Sequence, residues 1–121
     1  MSLSEQRQQY QQNLDRALAI IVELLARRPE IERAFLFGSY ARGRRDLFTD
    51  LDLLVIMDSP LDFVTRTAEL YRYLASAENA PIGVDMDLLV YTPEEFQRNA
   101  SRGFVRRALE EGELIYERQS A

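Results

Sequence analysis

The sequence predicts an α/β (α+β) domain with a small mixed sheet of three to four strands flanked by helices. Three observations lead there. Short apolar runs of strand length at 34–37, 50–57 and 84–91 alternate with stretches of helical period. Glycine, proline and aspartate turn signals bound these runs. The run after Asp52 is apolar almost without a break, which implies burial on both faces and a central strand.

Taken in order, residues 4–28 carry Tyr10, Leu14, Leu18, Ile21 and Leu25 as one stripe of an amphipathic helix, which Pro29 ends. Residues 30–33 read as a short connection and 34–37 as the first strand. Gly38-Ser39 opens a turn, with Ser39 at the N-cap of a helical turn running to Arg45. The second strand runs from Asp50 to Met57. Ser59 and Asp62 stand in capping-box spacing and Pro60 suits the first helical position, so the next helix is expected to start there, with Leu61, Val64, Ala68, Tyr71 and Ala75 as its apolar face. Residues 78–83 are loop. Val84 to Tyr91 is the third strand, with Asp85, Asp87, Leu89 and Tyr91 on one face and Val84, Met86, Leu88 and Val90 on the other. Thr92-Pro93-Glu94-Glu95 is a second capping box, opening a helix to about Ala100. Another helix runs from Gly103 or Phe104 to Glu111, Gly112 ends it, and Leu114-Ile115-Tyr116 reads as a short edge strand.

Bulk composition narrows the chemistry. At 121 residues the expectation is one domain over 1–121, with an N-terminal helix at 4–28 and a catalytic core at 33–117. The net charge of −5 argues against strong nucleic-acid binding, which needs a basic face. No Cys and no His occur, which removes thiol nucleophiles, zinc–thiolate sites, imidazole ligands and the usual general base. Any metal must be held by oxygen, which favours Mg²⁺ or Mn²⁺. No apolar run approaches membrane-spanning length and the N-terminus is no signal peptide, so no membrane partner and a cytoplasmic location are expected.

The chemistry gathers at 38–52. Asp50 and Asp52 share a strand face, ~6.6 Å apart along it, and can close on a divalent cation. Gly38 lets the backbone approach a phosphate, and Ser39 can donate its hydroxyl and N–H. Arg42, Arg44 and Arg45 follow closely enough for any of them to reach a phosphate. A third carboxylate must come from a neighbouring strand, where Asp85 and Asp87 are the candidates. Two carboxylates about 4 Å apart repel by about 4 kcal/mol at an effective dielectric of about 20, so such a cluster argues for bound cations. Metal and phosphate together point to a nucleotide. Taken singly, Gly-Ser is most often only a turn and Asp-x-Asp a solvated strand end; their spacing, each abutting a strand, favours a site.

Gly38-Ser39, then Asp50-x-Asp52, resembles the signature of the DNA polymerase β-like nucleotidyltransferase superfamily. The fuller run Phe37-Gly38-Ser39-Tyr40-Ala41-Arg42-Gly43, followed by Thr49-Asp50-Leu51-Asp52-Leu53-Leu54-Val55, resembles its minimal nucleotidyltransferase (MNT) branch. The stretch from Val84 to Phe96 and the ending from Arg107 to Glu117 fit the same branch, so that the resemblance spans roughly 34–117. It places the third carboxylate at Asp87. Thr49 stands where Ser is commoner. The resemblance implies Mg²⁺-dependent transfer of NMP, with ATP or another nucleoside triphosphate as donor. It implies a HEPN-domain toxin as partner, adenylylated on a tyrosine, with this chain as antitoxin. Transfer to a small molecule is the second enzymatic reading, but those relatives hold the acceptor in an added domain for which the chain has no room. A third reading is a binding module that occludes its toxin. The apolar helix stripes leave room for a homo-oligomer.

Overall fold

The computed structural model describes residues 2–43, 49–76 and 84–119. Helix α1 (Leu3–Ala26) leads, capped by Ser2, whose hydroxyl accepts from the Glu5 N–H. Then come β1 (Ile31–Phe37), the short α2 (Gly38–Ala41), β2 (Leu51–Met57) and α3 (Phe63–Leu74). The chain continues through β3 (Met86–Tyr91), α4 (Pro93–Asn99), α5 (Gly103–Glu111) and β4 (Glu113–Glu117). The strands form one mixed sheet in the order β3-β2-β1-β4. Strand β1 is antiparallel to both β2 and β4, whereas β2 and β3 are parallel. The apolar β2 is interior, as its sequence requires.

Period-two alternation sends Leu53, Val55 and Met57 to one face of β2 and Asp52, Leu54 and Ile56 to the other. On the first face Leu14, Ile21 and Leu25 of α1 and Leu70 and Leu74 of α3 pack with Leu36, Leu53, Val55 and Val90. On the second face Phe96 of α4 and Val105 and Ala108 of α5 pack with Phe35, Leu54 and Ile56. Asp52 and Asp87 therefore belong to the α4–α5 face.

Several boundaries differ from the sequence expectation; β2, for one, begins at Leu51, with Asp50 just ahead of it. Strand β1 begins at Ile31 rather than Ala34, because Ile31 pairs with Met57 and Arg33 with Ile56 and Glu117. Strand β3 begins at Met86, so Asp85 lies ahead of it. The N-cap of α2 is Phe37, not Ser39, which sits inside the helical turn. Helix α3 is capped by Asp62, whose carboxylate accepts from the Thr65 N–H at 2.8 Å; Ser59 instead accepts from the Leu61 N–H. The Thr92–Glu95 capping box forms as expected. The expected loop at 78–83 lies outside the described residues.

The buried face of α3 is also not the expected one. Arg66, Leu70 and Leu74 face inward, while Leu61, Val64 and Tyr71 are exposed. Arg66 reads as a surface residue in sequence but is 97% removed from solvent, at 3% exposure. Its Nε donates to the Val90 carbonyl at 3.0 Å, Nη1 to the Leu61 carbonyl at 3.1 Å, and Nη2 to Glu95. Glu95 is also the capping-box acid of α4, so one ion pair, buried on its Arg66 side, joins α3, the end of β3 and α4. Arg28 fixes the other end of α3 through a two-pronged pair with Glu69 at 2.8 Å and stacks on Tyr73. Among the described residues no helix is long and apolar enough to cross a membrane.

The phase of α3 can be checked by stability. Leu70→Ala removes a fully buried side chain and is expected to cost about 3 kcal/mol. Val64→Ala, at a residue 74% exposed, should change stability by less than about 0.5 kcal/mol. Urea unfolding of both variants decides between the two faces.

Candidate active site

Strand register builds the site. The antiparallel β1–β2 ladder sets Phe37 opposite Asp52, and the parallel β2–β3 ladder sets Asp52 beside Asp87. Asp50 precedes β2 on the same side as Asp52. Carboxylate oxygens of Asp50, Asp52 and Asp87 all come within 4.8 Å of one another. Asp85 is not part of this group: its backbone carbonyl accepts from the Leu51 N–H at 3.0 Å, and its side chain is exposed. Of the two candidates left open for the third carboxylate, the fold therefore gathers Asp87 with the pair.

Gly38 has a reason to be glycine beyond phosphate approach. Its φ is +77°, and a Cβ built there would stand 1.9 Å from Asp52 Oδ2. Any side chain at 38 and the observed Asp52 rotamer exclude each other. Ser39 is half-buried in α2, and Arg42 is its exposed C-cap. Arg44 and Arg45 lie outside the described residues.

Helix α1 ties down the chain on both sides of 44–48. The Tyr40 hydroxyl donates to Asp15, and the Tyr10 hydroxyl donates to the Thr49 carbonyl at 2.6 Å. The residue before Asp50 is thus anchored, and Thr49 itself is buried.

The cluster is electrostatically crowded. Burial first, then the Asp50 charge and a hydrogen bond and charge from Asp87, push the Asp52 carboxyl up from 3.8 to about 7. Such a group can share a proton or close on a divalent cation.

Two recesses flank the carboxylates. One of about 320 Å³ is lined by Phe37, Asp52, Asp87, Leu88, Leu89 and Phe104. The other, of about 220 Å³, includes Gly38, Arg42, Phe104 and Arg107. The Phe37 and Phe104 rings, edge to face at 4.9 Å, border both. The contribution of α5 was missed from sequence. The available signal was the i, i+3, i+4, i+7 spacing of Phe104, Arg107, Ala108 and Glu111, which puts all four on one helix face.

A model of the polymerase β nucleotidyltransferases matches residues 20–121. The chain belongs to this nucleotidyltransferase family. It is 34% identical over 91 residues to a Methanocaldococcus jannaschii protein named as a candidate protein adenylyltransferase, covering 74% of this chain and 82% of that one. MntA of Haemophilus influenzae, also named as a candidate protein adenylyltransferase, is 29% identical over 104 residues, 86% of this chain and 88% of that one. Among solved structures, a toxin–antitoxin crystal structure with AMP-PNP matches at a TM-score of 0.53 and 27% identity, over 84% of this chain and 74% of that chain. As a nucleotidyltransferase the chain is an enzyme, and its donor is a nucleotide.

Two outcomes follow for the nucleotidyltransferase. Because the folded carboxyl of Asp52 holds its proton up to about pH 7 while the unfolded one loses it near 3.8, folding takes up a proton between those values. Without divalent metal, melting temperature should therefore rise as pH falls from about 8 to about 6, and Asp52→Asn should flatten that rise. Glu30 and Asp62, whose pKa values are lowered, act below this window, and the chain has no His. The second outcome concerns Gly38→Ala, which strains a positive φ and displaces Asp52. Nucleotidyl transfer should fall by at least about a hundredfold, with the chain still folded by circular dichroism.

Proposed function

We propose that this nucleotidyltransferase transfers AMP from ATP to a tyrosine hydroxyl of a HEPN-type toxin, with Mg²⁺ or Mn²⁺, and so acts as its antitoxin. The observation that carries the reading is the group Asp50, Asp52 and Asp87 gathered against the Gly38 turn. Three carboxylates, one of them pushed up to about 7 by burial and by its two acidic neighbours, are a donor set that a hard divalent cation completes. The chain offers no His or Cys to compete as ligand. Relatives named for protein adenylyl transfer, and a toxin–antitoxin structure with AMP-PNP, support the donor and the class of partner. A reaction that draws on ATP suits the cytoplasm, which is where this reading puts it.

Asp50, Asp52 and Asp87 would hold the cation. Bound there, it would supply charge neutralisation for the triphosphate oxygens and the departing pyrophosphate. Gly38 leaves the backbone open to phosphate, Ser39 donates its hydroxyl and N–H, and Arg42 adds a guanidinium at the far end of the turn. The acceptor oxygen bonds to the α-phosphorus while the bond from that phosphorus to the bridging oxygen breaks, and pyrophosphate leaves with the electron pair. The hydroxyl proton passes to the Asp87 carboxylate, which is exposed at the mouth of the larger recess. Leu88, Leu89 and Phe104 give that recess an apolar wall suited to a phenol ring.

The test is incubation of the chain with α-labelled ATP, Mg²⁺ and a HEPN-type toxin produced with it. Label is expected on a toxin tyrosine. Asp87→Asn should lower transfer by at least about a hundredfold while retaining much of the MgATP affinity, and Asp85→Asn should be mild. Label nowhere, with neutralisation of the toxin intact in Asp87→Asn, would replace catalysis with occlusion. A dead Asp85→Asn beside an active Asp87→Asn would reverse the assignment of the third carboxylate.

A further inference from the structure

The smaller recess contains chemistry that the carboxylate cluster does not use. Arg107 of α5 and Arg42 at the end of α2 both line it. Both side chains are exposed, and neither makes an ion pair among the described residues. The neighbour of Arg107 behaves differently. Arg106 closes on Glu110, four residues on, at 3.0 Å. Arg107 has Glu111 at the same spacing but does not pair with it. Two arginines outside any ion pair among the described residues thus line the recess, with one acid, Glu111.

Position gives this charge a meaning. Gly38 lines the recess, and its Cα faces the Asp52 carboxylate. The recess also shares Phe37 and Phe104 with the one that contains Asp52 and Asp87. A chain of phosphates with one end at the carboxylates can therefore run past Gly38 and enter between the two arginines. Guanidinium is planar and presents paired donors that match phosphate oxygens, and two of them relieve their mutual repulsion by sharing an anion.

We propose that Arg107 binds the β- and γ-phosphates of the donor together with Arg42, so that α5 makes the site read the length of the phosphate tail. The proposal rests on the nucleotidyl-transfer reading above and adds a residue to it. Arg107 touches only the group that departs. It contributes to holding the triphosphate and stabilising the leaving pyrophosphate, and it has no contact with a nucleoside monophosphate.

Calorimetric titration with MgATP and with AMP tests this in the unmodified chain, Arg107→Ala, Arg107→Lys and Arg106→Ala. In Arg107→Ala, MgATP affinity should fall about tenfold or more with AMP affinity unchanged. Arg107→Lys should fall between that variant and the unmodified chain, because lysine keeps the charge and loses the fork. Arg106→Ala should bind both ligands as the unmodified chain does. An equal loss of MgATP and AMP affinity would overturn the proposal by assigning Arg107 to the base or ribose. Unchanged MgATP affinity in Arg107→Ala, in a chain that still transfers AMP, would overturn this proposal alone. An unmodified chain that binds no MgATP would overturn the nucleotidyl-transfer reading and this proposal with it.

Discussion

The site depends on one steric exclusion: the Asp52 carboxylate occupies the volume where a side chain of residue 38 would stand. Everything around it serves to make that contact reproducible. The β1–β2 ladder fixes Phe37 opposite Asp52, so the next residue must turn away with a positive φ directly over the carboxylate. The β2–β3 ladder then sets Asp87 beside Asp52 in register. A slip of one residue in either ladder would send Asp52 to the α1–α3 face and an apolar side chain into the cluster. The fully buried run from Leu53 to Met57 opposes that slip, because every residue in it is committed to one core or the other.

Bringing three carboxylates together works against folding, and Asp52 reflects it: burial first, then the neighbouring acids, push its carboxyl up. The fold tolerates it through packing at a distance from the charges. Leu53, Leu54 and Val55 are wholly buried immediately after Asp52, and helix α1 clasps both flanks of the segment that leads to Asp50. A crowded acidic cluster in a rigid apolar frame is preorganised for a cation, since the carboxylates do not need to be gathered when the ion arrives. A softer frame would let the acids swing apart into water, at some gain in stability and a loss of geometry.

Much of this was legible in the sequence, for identifiable reasons. The alternation in β3 assigned Asp87 and Leu89 to one face and Leu88 and Val90 to the other, because a period of two leaves no choice once one residue is placed. The Thr92–Glu95 box was readable because both partners lie within one turn. The failures concern partners remote in sequence. Helix α3 has two competing stripes, and the buried one contains Arg66, which local pattern assigns to solvent. The Val90 carbonyl and Glu95, 24 and 29 residues away, join the nearby Leu61 carbonyl in making its burial tolerable. Likewise nothing near Ile31 announced a strand, since its partners are Met57 and, through Arg33, Glu117. Gly38 stood out in sequence as a turn glycine, but the role of Asp52 in excluding a side chain there required the ladder itself.

Helix α5 shows how a residue with an unremarkable local context acquires a fixed place. Its Val105 and Ala108 are buried against the sheet, and Phe104 meets Phe37 edge to face. Its far end is pinned more tightly. A Cβ at Gly112 would stand 2.4 Å from the Ala108 carbonyl oxygen and 3.1 Å from that of Leu36, so α5 passes into β4 in close backbone contact with β1. Strand β1 is the same strand whose end carries Phe37 into the Gly38 turn. The helix and the turn are thus referenced to one strand, and the distance between them is set by backbone contact and not by side-chain preference. Arg107, exposed on the flank of α5, inherits that precision. An exposed arginine in a solvated helix would sample many positions at an entropic cost to any ligand; here the backbone beneath it is held against the recess that contains Gly38, and only the side chain remains to be ordered.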